Sequence, residues 1–291
     1  MKIALLQMKY QGSHKKTIEK TVENIKQASR EKTSLIVLQE LHQGEYFCQS
    51  EDTKNFEYAK HFDDDVLFWS KIAKQYGVVL VTSLFEQRTA GLYHNTAVVF
   101  DKDGTVAGKY RKMHIPDDPS FHEKFYFTPG DLGFKPIKTS IGTLGILLCW
   151  DQWYPEAARI MSLNGAQILI YPTAIGWFDN DSKEEKKKQL KAWKIIQQSH
   201  AIANSIPVVC TNRVGLERHP RDLREQGIRF WGNSFVCDGW GSVLAKGKKD
   251  KEEIIYAKLD LKQSKEIRDI WPFFRDRRID AYKDILQRYC W

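Results

Sequence analysis

No apolar run in this chain approaches the ~18 residues that a membrane-spanning helix requires, although 42% of its 291 residues are hydrophobic. The start, Met1-Lys2-Ile3-Ala4-Leu5-Leu6-Gln7, turns polar too soon for a signal peptide and carries no small-residue cleavage box. Cysteine is scarce: Cys48, Cys149, Cys210, Cys237 and Cys290 are scattered and odd in number. No C-x-x-C pair occurs, so neither a metal ribbon nor a disulfide framework is indicated, and no Cys/His ligand cluster is visible. A reducing cytoplasm is the expected compartment. No large segregated block of one charge appears either. The 45 Lys and Arg against 37 Asp and Glu leave +8, but the signs are interspersed as on an ordinary solvated surface. Neither nucleic acid nor membrane is an expected partner. The run Lys183-Glu184-Glu185-Lys186-Lys187-Lys188 reads as the solvated start of a helix.

The chain does hold enough apolar and aromatic residues to bury a sizeable core. Short β-rich runs alternate with longer amphipathic stretches, and the same order occurs twice. The first pass is a strand from Lys2 to Gln7, a helix around Lys16 to Arg30, the strand Leu35 to Leu38, a helix around Asp65 to Tyr76 and the strand Val78 to Val81. A hairpin closes it: Asn95 to Phe100, the turn Asp101-Lys102-Asp103-Gly104, then Thr105 to Lys109. Asp-Gly marks such a turn because the turn requires positive φ. The second pass is the strand Leu144 to Leu148, a helix from Pro155 to Leu163, the strand Gln167 to Tyr171, a helix from Lys187 to Ala203 and the strand Pro207 to Cys210. Its hairpin runs from Asn233 to Asp238 and from Ser242 to Ala245. Both hairpins carry the frame Asn-[Thr/Ser]-x-Val.

Each half is therefore βαβαββ, and its strands are apolar along nearly their whole length, as strands buried on both faces are. Helices cover one face; the other half's sheet covers the other. The expected fold is α/β, a four-layer αββα sandwich with an internal pseudo-two-fold, forming a single domain over 1–291. Residues 263–291 read as an aromatic-rich C-terminal tail. Trp271, Phe273, Phe274 and Trp291 are costly to leave in water, so they are expected to pack on a partner subunit; a monomeric size-exclusion profile would refute this.

Ligands of α/β sheets bind beyond the carboxyl ends of the strands. Glu40 ends the strand Leu35 to Leu38, Cys149 ends the strand Leu144 to Leu148, and Lys112 follows the outgoing strand of the first hairpin. The internal two-fold brings the Glu40 and Cys149 strand ends to one seam. A carboxylate, an amine and a thiol gathered there are the parts of a nucleophilic amide hydrolase. Cys149 lies just ahead of a helix whose first position suits Pro155, so the helix N-terminus is expected to lower the thiol pKa. Cys210 and Cys237, inside strand patterns, read as core cysteines.

These residues resemble the nitrilase superfamily, the carbon–nitrogen hydrolases, along essentially the whole chain. Glu40 in Leu38-Gln39-Glu40, Lys112 in Tyr110-Arg111-Lys112-Met113-His114 and Cys149 in Leu148-Cys149-Trp150-Asp151 match that family's Glu-Lys-Cys triad in order. The resemblance implies that Glu40 moves protons, that Cys149 attacks the carbonyl carbon, and that Lys112 with the backbone N–H of Trp150 stabilises the oxyanion. It further implies that Glu123 is a second carboxylate orienting Lys112 and substrate, that no metal or other cofactor is used, and that subunits pair as a homodimer or higher homo-oligomer.

Within the superfamily, the segment from Cys149 to Arg159 looks like the signature of the N-carbamoylputrescine amidohydrolases, which implies a small carbamoyl amine as substrate. The loops from Gln43 to Cys48 and from Glu123 to Asp131 are similar to that group as well. A cationic amine tail asks for acidic or aromatic company. The loop after Trp177 offers Asp179 and Asp181, and Tyr46 is expected at the pocket mouth. Hydrolases of N-carbamoyl-β-alanine or of ω-amides share the triad and remain alternatives. A metal-dependent phosphoesterase and a non-catalytic binding module are remote ones.

Overall fold

In the computed structural model, which describes residues 1–219 and 227–291, the first half runs β1 (Lys2–Gln7), α1 (His14–Arg30), β2 (Leu35–Val37), α2 (Phe62–Tyr76), β3 (Val79–Val81), β4 (Leu84–Thr89), β5 (Leu92–Phe100) and β6 (Val106–Arg111). A short helix, α3 (Glu123–Tyr126), precedes the second half. That half runs β7 (Ile137–Thr139), β8 (Gly142–Ile146), α4 (Pro155–Leu163), β9 (Ile168–Thr173), β10 (Gly176–Trp177), α5 (Lys183–Asn204) and β11 (Val208–Asn212). Then follow β12 (Val214–Glu217), β13 (Ile228–Trp231), β14 (Phe235–Cys237), β15 (Val243–Lys246), β16 (Glu253–Lys258) and α6 (Lys262–Ile270).

The repeated order read in the sequence becomes two sheets. One is ordered β16-β1-β2-β3-β5-β4 with β6 also on β5, the other β15-β14-β11-β9-β8-β7. In each, three strands are parallel and a hairpin adds antiparallel ones. Each sheet is also edged by an antiparallel strand, β16 on β1 and β7 on β8. The strand that follows the second half thus edges the first sheet, and the one that follows the first half edges the second.

Alternation along β1 explains the layers. Ile3 and Leu5 point into the core between the two sheets, while Ala4 and Leu6 point under α1 and α2. With both faces buried, each Ile or Leu contributes about 1.5–3 kcal/mol, and a charged residue between Ile3 and Leu6 would have no wet face to turn to. The inter-sheet core joins Val37, Val81 and Val99 of one sheet to Ile146, Ile168 and Val209 of the other, and continues under α4 and α5 through Met161 and Trp193. The result is the four-layer αββα sandwich.

Helix starts follow their caps rather than the apolar periodicity. α1 begins at His14 because Ser13 accepts from the backbone N–H of Lys16, and α5 begins at Lys183 because Ser182 caps Glu185. Both start earlier than the apolar pattern suggests. Glu184 and Glu185 in the first turn of α5 favour its positive end, so the charged run there is the solvated helix start expected of it. The Asp101–Gly104 hairpin forms as expected, with Gly104 at φ 89°; a Cβ there would meet the Ser70 carbonyl oxygen at 2.7 Å. The strands β4, β7 and β16 and a small third sheet, β10-β13-β12, were not anticipated. Their polar residues blur the period of two.

Among the described residues no helix is long and apolar enough to cross a membrane. The C-terminal segment begins as α6, anchored by the buried Ile267 and by Arg268, which donates to the Asn204 carbonyl at 2.9 Å. The Phe274 ring lies 4.8 Å from the guanidinium carbons of both Arg159 and Arg268. Farther on, Ile279, Leu286 and Trp291 stand exposed.

Candidate active site

Glu40, Lys112 and Glu123 meet in the interior although three different elements carry them. Glu40 lies just beyond β2, where its backbone N–H donates to the Thr173 carbonyl of the opposite sheet at 3.4 Å. Lys112 lies just beyond β6 and still pairs with β5, donating to the Asn95 carbonyl at 2.9 Å. Its own carbonyl accepts from Gly130, and a Cβ on Gly130 would stand 2.1 Å from the Arg111 carbonyl oxygen, so only glycine lets that loop pass. Glu123 opens α3.

The Lys112 ammonium bridges the two acids, 2.7 Å from Glu40 Oε1 and 2.6 Å from Glu123 Oε2. All three side chains are fully buried. Asn95 Nδ2 donates to Glu40 Oε1 at 2.8 Å, and the Tyr46 hydroxyl donates to Glu123 Oε1 at 2.7 Å. Ser83 completes the support: its hydroxyl donates to Asn95 Oδ1 and accepts from the Leu41 N–H. Glu40 Oε2 is buried and has no hydrogen-bond partner among the described residues, an oxygen available to a proton.

Cys149 occupies a turn just after β8 with φ 39°, a left-handed conformation that costs a non-glycine residue about 1–3 kcal/mol. Asp151 holds that turn. Its carboxylate accepts from the Leu148 N–H at 2.9 Å, the Tyr110 hydroxyl at 2.8 Å and the His114 N–H at 3.0 Å, and it lies 2.7 Å from His114 Nδ1. Behind the turn, the Gln152 side-chain oxygen accepts from Trp193 and Gln197 of α5. The Cys149 thiol donates to the Ala174 carbonyl at 3.8 Å.

The electrostatics correct one expectation. Burial pushes the Cys149 thiol well above its ordinary pKa, Glu40 adds to the rise, and Lys112 opposes it. The helix N-terminus does not prevail, because the thiol is buried beside a network with more negative than positive groups. For Lys112, burial opposes the charge, but Glu123 and Glu40 overcome it and raise the ammonium well above its usual value. Burial raises Glu123 to about 7, with Glu40 pushing up and Lys112 holding it down. A protonated thiol, a permanent cation and two buried acids are parts that pass a proton inward and gather charge around a carbonyl carbon.

A cavity of ≈ 520 Å³ opens beside Cys149 and is walled by aromatic rings, among them Trp150, Trp153, Trp177 and Trp231. Trp150, whose backbone N–H is expected at the oxyanion, lines this space. Tyr46 does not sit at the mouth: it is 1% exposed, held inside against Glu123. Asp179 is also displaced from its expected role. Arg229, across the β10–β13 pair, grips both of its oxygens at 2.5 and 2.7 Å at the surface, and Asp181 lines the cavity instead. Sequence reasoning missed Asn95, Asp151 and Arg213, whose guanidinium donates to the Leu41 carbonyl beside Glu40 at 2.7 Å. Asn95 left a trace in the Asn-[Thr/Ser]-x-Val frame shared by the hairpins, and Asp151 stood within the Cys149 motif. Arg213 left none. Among the described residues no group of three or more His, Cys, Asp or Glu is placed to hold a metal ion.

Comparison with known proteins agrees with this geometry. The profile of the carbon–nitrogen hydrolases matches residues 2–269. An N-carbamoylputrescine amidase of Oryza sativa is 42% identical over 264 residues, 90% of this chain and 86% of its own. A citrullinase of Francisella tularensis is 37% identical and covers 99% of both chains. The crystal structure of a carbon–nitrogen hydrolase from Helicobacter pylori G27 superposes with a TM-score of 0.97 at 58% identity, over 100% of this chain and 99% of that one. A profile that spans nearly the whole sandwich, and relatives that match it almost end to end, leave one assignment: the chain belongs to the carbon–nitrogen hydrolase family.

Proposed function

We propose that this protein hydrolyses N-carbamoylputrescine to putrescine, carbon dioxide and ammonia through a covalent intermediate on Cys149. The observation that carries the reading is the Lys112 ammonium shared between two buried carboxylates, with Glu40 Oε2 left unpartnered. The 42% identical amidase of that name supports the choice of substrate.

The raised thiol pKa sets the order of events. The resting thiol keeps its proton, so proton transfer to Glu40 accompanies attack of sulfur on the carbamoyl carbon. The developing oxyanion is met by Lys112, which stays charged, and by the backbone N–H of Trp150. Glu40 then gives its proton to departing ammonia, leaving an S-carbamoyl enzyme. Glu40 next takes a proton from water as it attacks that carbonyl; the thiol leaves with a proton, and the released carbamate decomposes to amine and carbon dioxide. Glu123, held by Tyr46, keeps the Lys112 ammonium aimed. A reducing cytoplasm is the proposed setting, supported by five unpaired cysteines.

The test is ammonia release across N-carbamoylputrescine, citrulline, N-carbamoyl-β-alanine and ω-amides, with Cys149→Ala as control. The expected result is fastest turnover of N-carbamoylputrescine, a trapped adduct at Cys149 and no turnover by the variant. Faster hydrolysis of N-carbamoyl-β-alanine would reject the substrate and keep the chemistry; turnover surviving Cys149→Ala would reject the chemistry.

A further inference from the structure

The cavity holds a carboxylate that the chemistry above leaves idle. Asp118 lies in the loop between β6 and α3, where its carbonyl accepts from the Phe121 N–H at 2.8 Å and Ser120 turns the chain with φ 63°. This tight turn sets Asp118 on the cavity wall together with Cys149 and Trp150. Its Oδ1 is buried and has no hydrogen-bond partner among the described residues. Burial raises its carboxyl above the ordinary range and the nearby Glu123 adds to that, while its own backbone N–H and Lys112 hold it down. A buried acceptor left unpaired is costly, and a charged one more so, so this oxygen is built to receive a donor.

The other acids around the cavity are engaged or wet. Asp181 accepts from the Phe178 N–H at 3.0 Å, and Glu185 lies exposed at the rim. Among the described residues the one cation there, Lys188, is also exposed and pairs with Glu184 at 3.0 Å. The rest of the wall is mostly aromatic and aliphatic, with Gln189 its neutral polar side chain, which suits methylenes and a cation.

We propose that Asp118 is the counter-charge for the positively charged far end of a carbamoyl amine, so that the cavity selects a cationic tail over a neutral or anionic one. This rests on reading the cavity as a carbamoyl-amine site. The methylene chain lies along the tryptophan rings, the carbamoyl group reaches Cys149, and the terminal ammonium donates to the Asp118 carboxylate. Hydrogen bonds between charged groups of this kind carry enough energy to shift affinity by about tenfold to a hundredfold.

The experiment compares wild type with Asp118→Asn, which keeps the shape and removes the charge. Ammonia release is measured from N-carbamoylputrescine and from N-pentylurea, which replaces the terminal ammonium by a methyl group; putrescine binding is measured by calorimetry. In the variant, kcat/KM for N-carbamoylputrescine should fall about tenfold to a hundredfold, mainly through KM, while N-pentylurea changes less than about twofold. Putrescine should bind the variant at least about tenfold more weakly. Equal losses on both ureas would mean that Asp118 only supports the loop, and would overturn the proposal. Putrescine binding separates the two readings, because it needs no turnover. If wild type hydrolyses neither urea but binds putrescine more tightly than the variant, Asp118 stands and the hydrolytic reading falls. Equal putrescine binding overturns Asp118 whatever the turnover.

Discussion

Two turns at the ends of parallel strands carry the reactive side chains, and each is held from the other half of the chain. After β2, Glu40 is followed by Leu41 at φ 46°; after β8, Cys149 itself sits at φ 39°. The Glu40 turn is held by Arg213, a fully buried residue between β11 and β12. Its guanidinium donates to the carbonyls of Leu41 at 2.7 Å and Gly44 at 2.9 Å, and pairs with Glu217 at 2.6 Å. The Cys149 turn is held by Asp151, which takes the Tyr110 hydroxyl and His114 from the first half. One clamp is a donor that gathers carbonyls, the other an acceptor that gathers N–H and O–H groups. A strained turn exposes backbone groups of whichever kind its geometry frees, and the clamp has the opposite polarity. Neither half builds its part of the site alone.

That symmetry can be broken from either side. Asp151→Asn should have the larger effect, because an amide oxygen that keeps the Leu148 N–H and the Tyr110 hydroxyl at the Oδ2 position turns its own NH2 on the His114 N–H at the Oδ1 position. A loss of about 3 kcal/mol in chemical denaturation is expected, with kcat reduced ~100-fold as the thiol moves off line; an unchanged kcat would show that the turn holds itself. Arg213→Lys should cost less, about 1–3 kcal/mol, since an ammonium keeps the charge facing Glu217 but cannot reach several carbonyls in a fork. Its kcat should drop about tenfold, and a loss matching that of Asp151→Asn would erase the distinction between the clamps.

The smallest effect concerns pH. Glu123 has a folded pKa of about 7 against an ordinary 4.5, so between those values the folded protein binds the extra proton. Its contribution to stability is then complete below about 4.5 and is lost as pH rises through about 7. Glu123→Gln should flatten the fall of Tm between pH 5 and 8; an equally steep fall in the variant would place the proton elsewhere.

Much of this was legible beforehand for a reason visible in particular residues. The alternation of Ile3, Ala4, Leu5 and Leu6 between two cores is a local pattern, and a pattern that recurs predicts two similar sheets. Glu40 and Cys149 were found because the ends of parallel strands can be located from the strands themselves. Tyr46 was misplaced because an aromatic residue with one hydroxyl fits a mouth or an interior equally well until its partner, Glu123, is known. Asp179 was preferred to its neighbour because nothing in a linear order reveals Arg229 lying across from it.

What the sequence by itself determined is the internal repeat, the layered fold and the identity of the sulfur, acid and amine that converge. Those follow from periodicity and from chain direction, which are properties of neighbours along the backbone. What only the tertiary structure decided is how those groups share charge: a thiol raised rather than lowered, one ammonium divided between two acids, and an aspartate on the cavity wall with a bare oxygen. Proton affinity depends on desolvation and on charges across a few ångströms of space, and residues far apart in the chain acquire those distances only when the sheets close on one another.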